Sequence, residues 1–138
     1  MPPDAKRVED TRAWLIKAAR DLKAGEAALA APEPIPEDAM FHAQQAVEKA
    51  LKALLIWHDE PFRKTHDLRE VGTQCVGLDP SLAAVCERAE LLTPFAWQFR
   101  YPDELSPEPP TADARQALDL AREVYEAVLA RLPGEARP

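Results

Sequence analysis

Five side chains in this sequence have the chemistry to hold a phosphate-bearing ligand. Lys49 and Lys52 lie three residues apart in a helix-forming segment, so they project within about 60° of each other and can reach a common anion. His66 follows that segment on a loop. Arg100 and Tyr101 lie at the end of a later helical stretch, and a guanidinium matches a phosphate with two parallel hydrogen bonds. These residue types predict a small anion-binding site.

The same residues also have purely structural explanations. Glu48 and Lys52 are spaced as an i,i+4 ion pair on a solvated helix face, worth a few tenths of a kcal/mol. Arg100 could pair locally with Asp103 or Glu104 where the following proline stops a helix. His66, on the loop, could simply cap the next helix. Residue type and spacing alone leave both interpretations open.

Other chemistries find little support in the sequence. His42 and His58 are sixteen residues apart on one predicted helix, which places them about 160° apart and excludes a shared metal ion. Cys75 and Cys86 lack zinc-site spacing and have no base nearby in sequence, so both are predicted to be buried thiols. The glycines are isolated and form no phosphate-binding loop. We therefore predict no metal and no cofactor.

Composition narrows the class of protein further. The chain has 138 residues, with 24 acidic and 17 basic side chains and a net charge of −7. That charge argues against wrapping long nucleic acids by bulk electrostatics, although a local basic pocket is compatible with it. No apolar run approaches the roughly 20 residues of a membrane span, and the N-terminus carries charges. The sequence predicts one acidic cytoplasmic domain over residues 1–138, with no membrane contact.

The elements that must position these residues are predicted to be helices. Ala, Leu, Glu, Lys and Arg dominate the stretches between the proline patches, and no stretch shows the alternation of a strand. We expect an all-α, up-and-down four-helix bundle with an additional short helix, and frayed ends at residues 1–3 and 133–138. The predicted helices run from Asp4 to Ala30, from Glu37 to His58, from a Thr65 cap to Val76, from Asp79–Pro80 toward Leu92, and from a Thr111 cap to Leu132.

The second predicted helix has two distinct faces. One face is apolar and is expected to enter the core; it contains Met40, Ala43, Val47, Ala50, Leu51 and Leu54. The opposite face mixes charged and apolar side chains, which is common where a partner covers a helix. The sequence therefore predicts a homodimer through this side, formed by Phe41, Gln45, Lys52 and Ile56, or through a neighbouring face.

Three motifs in order resemble the HEPN domain (higher eukaryotes and prokaryotes nucleotide-binding). The segment Phe41–Leu55 reads FHAQQAVEKALKALL and resembles the signature helix of that family. Thr65-His66-Asp67-Leu68 and Arg100-Tyr101-Pro102-Asp103 follow where the family has the same motifs. Trp14 and Asp21-Leu22 in the first helix extend the resemblance over nearly the whole chain.

The resemblance implies a helical bundle, a homodimer, and pairing with a minimal nucleotidyltransferase in a toxin–antitoxin-like module. It also implies that Arg100 and Tyr101 converge with Lys49, Lys52 and His66 in one cleft. Many HEPN proteins are metal-independent ribonucleases that use an Arg followed four to six residues later by a His. This sequence departs from that pattern, because its closest such pair, Arg63 and His66, has only two residues between.

Two functional hypotheses follow. The first is a non-enzymatic protein that binds a nucleotide or short RNA, or serves as the partner subunit of a minimal nucleotidyltransferase. The second is a metal-independent ribonuclease toxin with a rearranged site, in which His66 acts as general acid/base and Arg100 stabilises phosphate charge. The acidic composition and the missing motif favour the first.

Overall fold

The computed structural model describes residues 4–102 and 107–138. Within those residues every regular element is helical, which confirms the all-α prediction. Five α-helices, α1 to α5 in chain order, span Ala5–Ala30, Pro36–Trp57, Leu68–Leu78, Ala83–Ala89 and Thr111–Leu129. Three short 3-10 turns cover Pro80–Leu82, Glu90–Ala96 and Gly134–Ala136.

The first two helices begin where local chemistry satisfies free backbone groups. Asp4 caps α1 by accepting a hydrogen bond from the backbone N–H of Lys6 at 3.0 Å. Pro36 occupies the first turn of α2, where its missing N–H costs nothing. Glu37 and Asp38 follow it, and their negative charge suits the positive end of the helix dipole. These starts agree with the sequence.

The third helix begins three residues later than its predicted cap. Asp67, not Thr65, caps α3 by accepting from the backbone N–H of Arg69 at 3.0 Å. The hydroxyl of Thr65 instead accepts from the N–H of Asp67, also at 3.0 Å, in the turn that precedes the helix. Thr and Asp side chains can both accept a backbone N–H bond in such a turn, and the sequence alone does not show which of the two caps the helix.

The last two predicted helices also differ in their bounds. α4 ends at Ala89, and the chain continues as a 3-10 turn through Pro94, whose ring cannot donate a backbone hydrogen bond. Thr111 is the first residue of α5 and does not cap it. The capping position is occupied by Pro110, which makes no side-chain capping hydrogen bond. α5 ends at Leu129, three residues before the predicted end.

Helix α2 lies at the centre of the fold. It packs most extensively on α1 and next on α5, with further contacts to α3 and to the turn Glu90–Ala96. The apolar face predicted for this helix is buried, which confirms that prediction. Ala39, Ala46, Ala53 and Leu55 are buried as well, so most of the helix circumference is enclosed. The polar side chains of α2 are therefore found in or beside the core.

The C-terminal residues differ from the expected frayed end. Gly134–Ala136 form a 3-10 turn against α1, and the methyl group of Ala136 is fully buried. The guanidinium of Arg12 donates to the backbone carbonyl of Glu135, and Arg137 donates to the carbonyl of Leu132. The turn is ordered because it covers α1 and satisfies backbone groups there. The expected fraying at residues 1–3 lies outside the described residues.

Two further sequence predictions concern arrangement and environment. The up-and-down order of a four-helix bundle stays a prediction, as does a single domain over residues 1–138. In the part of the chain that the structure describes, no helix combines enough length and apolar character to cross a membrane. The predicted cytoplasmic location stays a prediction.

Candidate functional site

A buried carboxylate on α2 brings two of the predicted site residues together. Glu48 accepts from the ammonium of Lys52 through Oε2 at 3.1 Å. Its other oxygen, Oε1, lies 2.7 Å from Nδ1 of His66. Because a carboxylate only accepts, Nδ1 of that imidazole carries the hydrogen and Nε2 is left for another partner. Glu48 thus connects the helix to the loop before α3.

The amide of Gln44 reinforces the same connection. Its Nε2 donates to Oε1 of Glu48 and to the backbone carbonyl of His66, both at 3.2 Å. The side chain of Glu48 is only 7% exposed, whereas that of His66 is 61% exposed. A buried, fully bonded acid therefore holds an exposed imidazole in a fixed orientation. We call Gln44, Glu48, Lys52 and His66 the Glu48 cluster.

Lys52 is enclosed in the fold, and its predicted role as a ligand-binding residue stays a prediction. Its side chain is 6% exposed, and its Nζ lies 5.3 Å from the ring centre of Phe62 and 5.9 Å from that of Trp14. The ammonium also donates to the backbone carbonyl of Thr65 at 3.0 Å. The loop between α2 and α3 folds back over the helix and removes this lysine from solvent. It is equally unavailable for the predicted dimer surface.

A second buried acid, on α1, binds the other predicted lysine. Asp21 accepts from Nζ of Lys49 at 2.5 Å through Oδ2, and its Oδ1 lies 2.9 Å from Nδ1 of His42. We call these three residues the Asp21 cluster. The lysine is one-quarter exposed, and its charge is already neutralised by the acid. Its ammonium is paired with this acid, and its predicted role as a ligand-binding residue stays a prediction.

The position of Asp21 in the first helix already indicates a partly buried acid. This acid lies between Ala18 and Leu22, which belong to the apolar stripe of the first helix. A charge at the edge of a core needs a partner, because burying it alone is costly. The identity of that partner depends on how α1 packs on α2, and no local pattern supplies it.

Arg100 and Tyr101 are exposed to solvent, and Arg100 contacts the N-terminal half of α2. The guanidinium carbon of Arg100 lies 4.1 Å from the ring centre of Phe41, a stacked cation–π contact. Its backbone N–H donates to the carbonyl of Trp97 at 3.1 Å, which fixes the turn. Tyr101 is 80% exposed. The alternative partners of Arg100, Asp103 and Glu104, lie outside the described residues.

The five predicted residues therefore divide into three groups. Lys52 and His66 share Glu48, Lys49 belongs to the Asp21 cluster, and Arg100 stacks on Phe41 beside Tyr101. Within the described residues no hydrogen bond, ion pair or cation–π contact joins one group to another. Phe41 and Glu48 are seven residues apart on α2, which corresponds to about 10 Å along the helix axis.

Two other features of the surface bear on the choice of site. An open cleft of about 770 Å³ lies between the loop after α2 and the helix α3. Phe62, Arg63 and Arg69 line it, and none of the five predicted residues does. No three His, Cys, Asp or Glu side chains converge anywhere in residues 4–102 and 107–138.

A protein-family model matches most of this sequence. The model of the HEPN domain matches residues 11–132, which include the signature helix and both later motifs. The chain belongs to the HEPN family. No curated protein and no solved structure gives a significant match to this HEPN chain.

Proposed function

We propose that this HEPN domain binds a nucleotide or short RNA through Arg100, Tyr101 and His66, and acts as the partner subunit of a minimal nucleotidyltransferase in a toxin–antitoxin-like module. The observation that carries the proposal is the stack of Arg100 on Phe41, beside the exposed ring of Tyr101. The HEPN match over residues 11–132 is consistent with nucleotide or RNA binding.

The stacked guanidinium is suited to this ligand. The cation–π contact with Phe41 restrains the Arg100 side chain, so it loses less freedom when its N–H groups donate to a phosphate. Tyr101 offers an aromatic face on which a base can stack, and such stacking contributes about 1–3 kcal/mol per base. A local cationic and aromatic site of this kind is compatible with an acidic chain.

Binding is favoured over cleavage by the spacing of the groups. A ribonuclease of the hypothesised kind would bring His66 and Arg100 to one scissile phosphate. Here each is held above a different point of α2, about 10 Å apart along its axis. The chain also lacks a His four to six residues after an Arg. This proposal therefore assigns the lysines and acids a supporting role and no catalytic one.

One observation keeps the ribonuclease as a second candidate. The imidazole of His66 is exposed while its Nδ1 is held by the buried Glu48, an arrangement that orients histidines for general acid–base catalysis. In that case His66 would transfer the proton and Arg100 would stabilise the phosphate charge. A gel assay with a structured RNA separates the two functions. Cleavage that disappears in His66→Ala would overturn the non-enzymatic proposal.

The binding test uses a fluorescent twelve-nucleotide RNA and ATP with the intact chain. Arg100→Ala is expected to weaken binding at least tenfold, because it removes the charged contact and leaves the core untouched. Arg122→Ala is the matched control, since Arg122 is also exposed and lies on α5. Equal affinity in all three proteins, or no binding by the parent, would refute the proposal.

The partner and the dimer require separate measurements. A small nucleotidyltransferase encoded beside this chain should co-purify with it when both are expressed, and failure to do so would count against the partnership. We also propose a homodimer through Phe41, Gln45 and Ile56, which are all partly exposed on α2. Sedimentation at micromolar concentration should give twice the 15.3 kDa of one chain. A single-chain species alone would contradict the dimer.

A further inference from the structure

His42 is held in the same way as His66 but has no part in the proposed function. In both cases Nδ1 faces a buried carboxylate, and a lysine of α2 neutralises that carboxylate. The acids differ in origin, because Asp21 belongs to α1 and Glu48 to α2. The side chain of His42 is 28% exposed, so its ring reaches solvent. One imidazole on α2 and one on the loop before α3 are thus oriented in the same way.

His42 and Arg100 contact the same aromatic ring, that of Phe41. The ring centre of His42 lies 5.3 Å from that of Phe41, in an edge-to-face arrangement. The guanidinium carbon of Arg100 lies 4.1 Å from the same ring centre. Both polar side chains therefore border one aromatic ring. His66 is held by Glu48, which lies one and a half to two helical turns further along α2.

The orientation of each imidazole determines what it can offer. With Nδ1–H donated to the acid, Nε2 is the remaining hydrogen-bonding atom of each ring. When the ring is protonated, Nε2–H becomes a donor suited to a phosphate oxygen. Lys49 and Lys52 prevent the two acids from presenting unpaired negative charge to such a ligand.

We propose that His42 is a further ligand-binding residue, and that His42 with Arg100 holds one phosphate of a single strand while His66 holds another. This inference rests on the proposed function and specifies its ligand. Phe41 and Glu48, the residues of α2 that hold the two ends, lie about 10 Å apart along the helix axis, which is more than one phosphate group spans. At roughly 3.4 Å per stacked nucleotide, a strand of about three to four nucleotides spans that length. The site therefore requires an oligonucleotide and not a mononucleotide.

A length series tests this requirement. Binding to oligouridylates of one, three and six residues is measured by calorimetry. The parent protein is expected to bind the trinucleotide at least tenfold more tightly than the mononucleotide, with little further gain for the hexanucleotide. His42→Asn and His66→Asn should each reduce trinucleotide affinity to near the mononucleotide level, because each removes one end contact. The Asn amide still donates to the carboxylate, so the local packing is kept.

His58 provides the matched control for these variants. It is exposed at the end of α2 and belongs to neither cluster, so His58→Asn should retain the full length dependence. Because the chain has three histidines, imidazole NMR signals give a second measurement without any substitution. The signals of His42 and His66 should shift on adding the trinucleotide, and that of His58 should not.

The possible failures are distinguishable. If the parent binds RNA but His42→Asn keeps the length dependence and the His42 signal does not move, this inference is wrong and the proposed function stands. If affinity is equal for one and three nucleotides, the two-ended site is wrong. If the parent binds none of the three ligands, the proposed function itself fails.

Discussion

The ammonium of Lys52 lies 3.1 Å from Oε2 of Glu48 one turn earlier on α2, and both side chains are less than a tenth exposed. Water can neither solvate this pair nor screen it effectively. The pair is also satisfied by protein groups: a backbone carbonyl accepts from the lysine, and Gln44 and His66 complete the bonding of the acid. The residue expected to bind a ligand is thus part of the folded core.

Breaking this pair should destabilise the protein strongly. Lys52→Met leaves the buried carboxylate without its ammonium, and Glu48→Gln leaves the ammonium without its carboxylate. Removing one partner of a buried ion pair costs about 3–5 kcal/mol of unfolding free energy. Urea unfolding should show a loss in this range for each single variant, and a loss for the double variant smaller than the sum of the two.

An exposed ion pair supplies the control for that measurement. Arg88 and Glu123 join α4 to α5, and each side chain is about half exposed. Surface pairs contribute about 0–1 kcal/mol because solvent screens them. Glu123→Gln should therefore lower the unfolding free energy by less than 1 kcal/mol. Similar losses in Glu48→Gln and Glu123→Gln would show that the buried pair is not structurally important.

The sequence predicted the core of α2 more successfully than its polar face. Helical periodicity alone identified Val47, Leu51 and Leu54 as buried, because one straight helix determines which residues share a side. The burial of Lys52 depends on Trp14 from α1 and Phe62 from the following loop. Those contacts join residues that are far apart or irregular in sequence, and periodicity carries no information about them.

In the candidate site too, contacts between residues distant in sequence could not be predicted. Motif spacing singled out His66 and Arg100, which are both exposed. It did not identify His42 as oriented, because the orienting acid, Asp21, comes from another helix. Charged residues of opposite sign on two helices are common, and only the packing of α1 on α2 selects this pair.

Close packing between α1 and α5 gives a prediction for the glycine at their contact. A Cβ added to Gly25 would lie 2.5 Å from Cδ2 of Leu118, a fully buried side chain. Gly25→Ala is expected to lower the unfolding free energy by about 1–2 kcal/mol, because overpacking outweighs the gain in helix propensity. Gly77→Ala in α3 meets no atom within 4 Å and should raise it by up to about 1 kcal/mol. Thermal melts of both variants provide the test, and stabilisation by Gly25→Ala would contradict this packing.

The two thiols should be inert while the protein is folded. Burial raises the pKa of Cys75 to about 12 and that of Cys86 to about 11, so both stay protonated at pH 8. An aromatic disulfide reagent should react with neither thiol in buffer and with both in urea. Rapid reaction of either cysteine in buffer would show that this region of α3 and α4 opens.

The raised thiol pKa values also predict how stability depends on pH. A thiol whose folded pKa lies above its unfolded value of about 8.5 favours the folded state below that pH, and this contribution is lost as pH rises toward 11–12. Unfolding free energy should fall between pH 8 and pH 10. The fall should be smaller in Cys75→Ala/Cys86→Ala, which lacks both titrating groups. Parallel pH profiles in the two proteins would contradict the assignment.

The C-terminal turn should contribute to stability although its sequence suggested a frayed end. Ala136 is fully buried against α1, so Ala136→Asp would place a charge in the space of a buried methyl group. Burying an unpaired polar group costs about 1–3 kcal/mol in proteins, and a charge costs more unless the turn detaches. Ala130→Asp is the control, because Ala130 is exposed one residue after α5. Urea unfolding should show a loss of at least about 1 kcal/mol for Ala136→Asp and less than half of that for Ala130→Asp. Equal stability of the two variants would mean that the turn does not stay docked in solution.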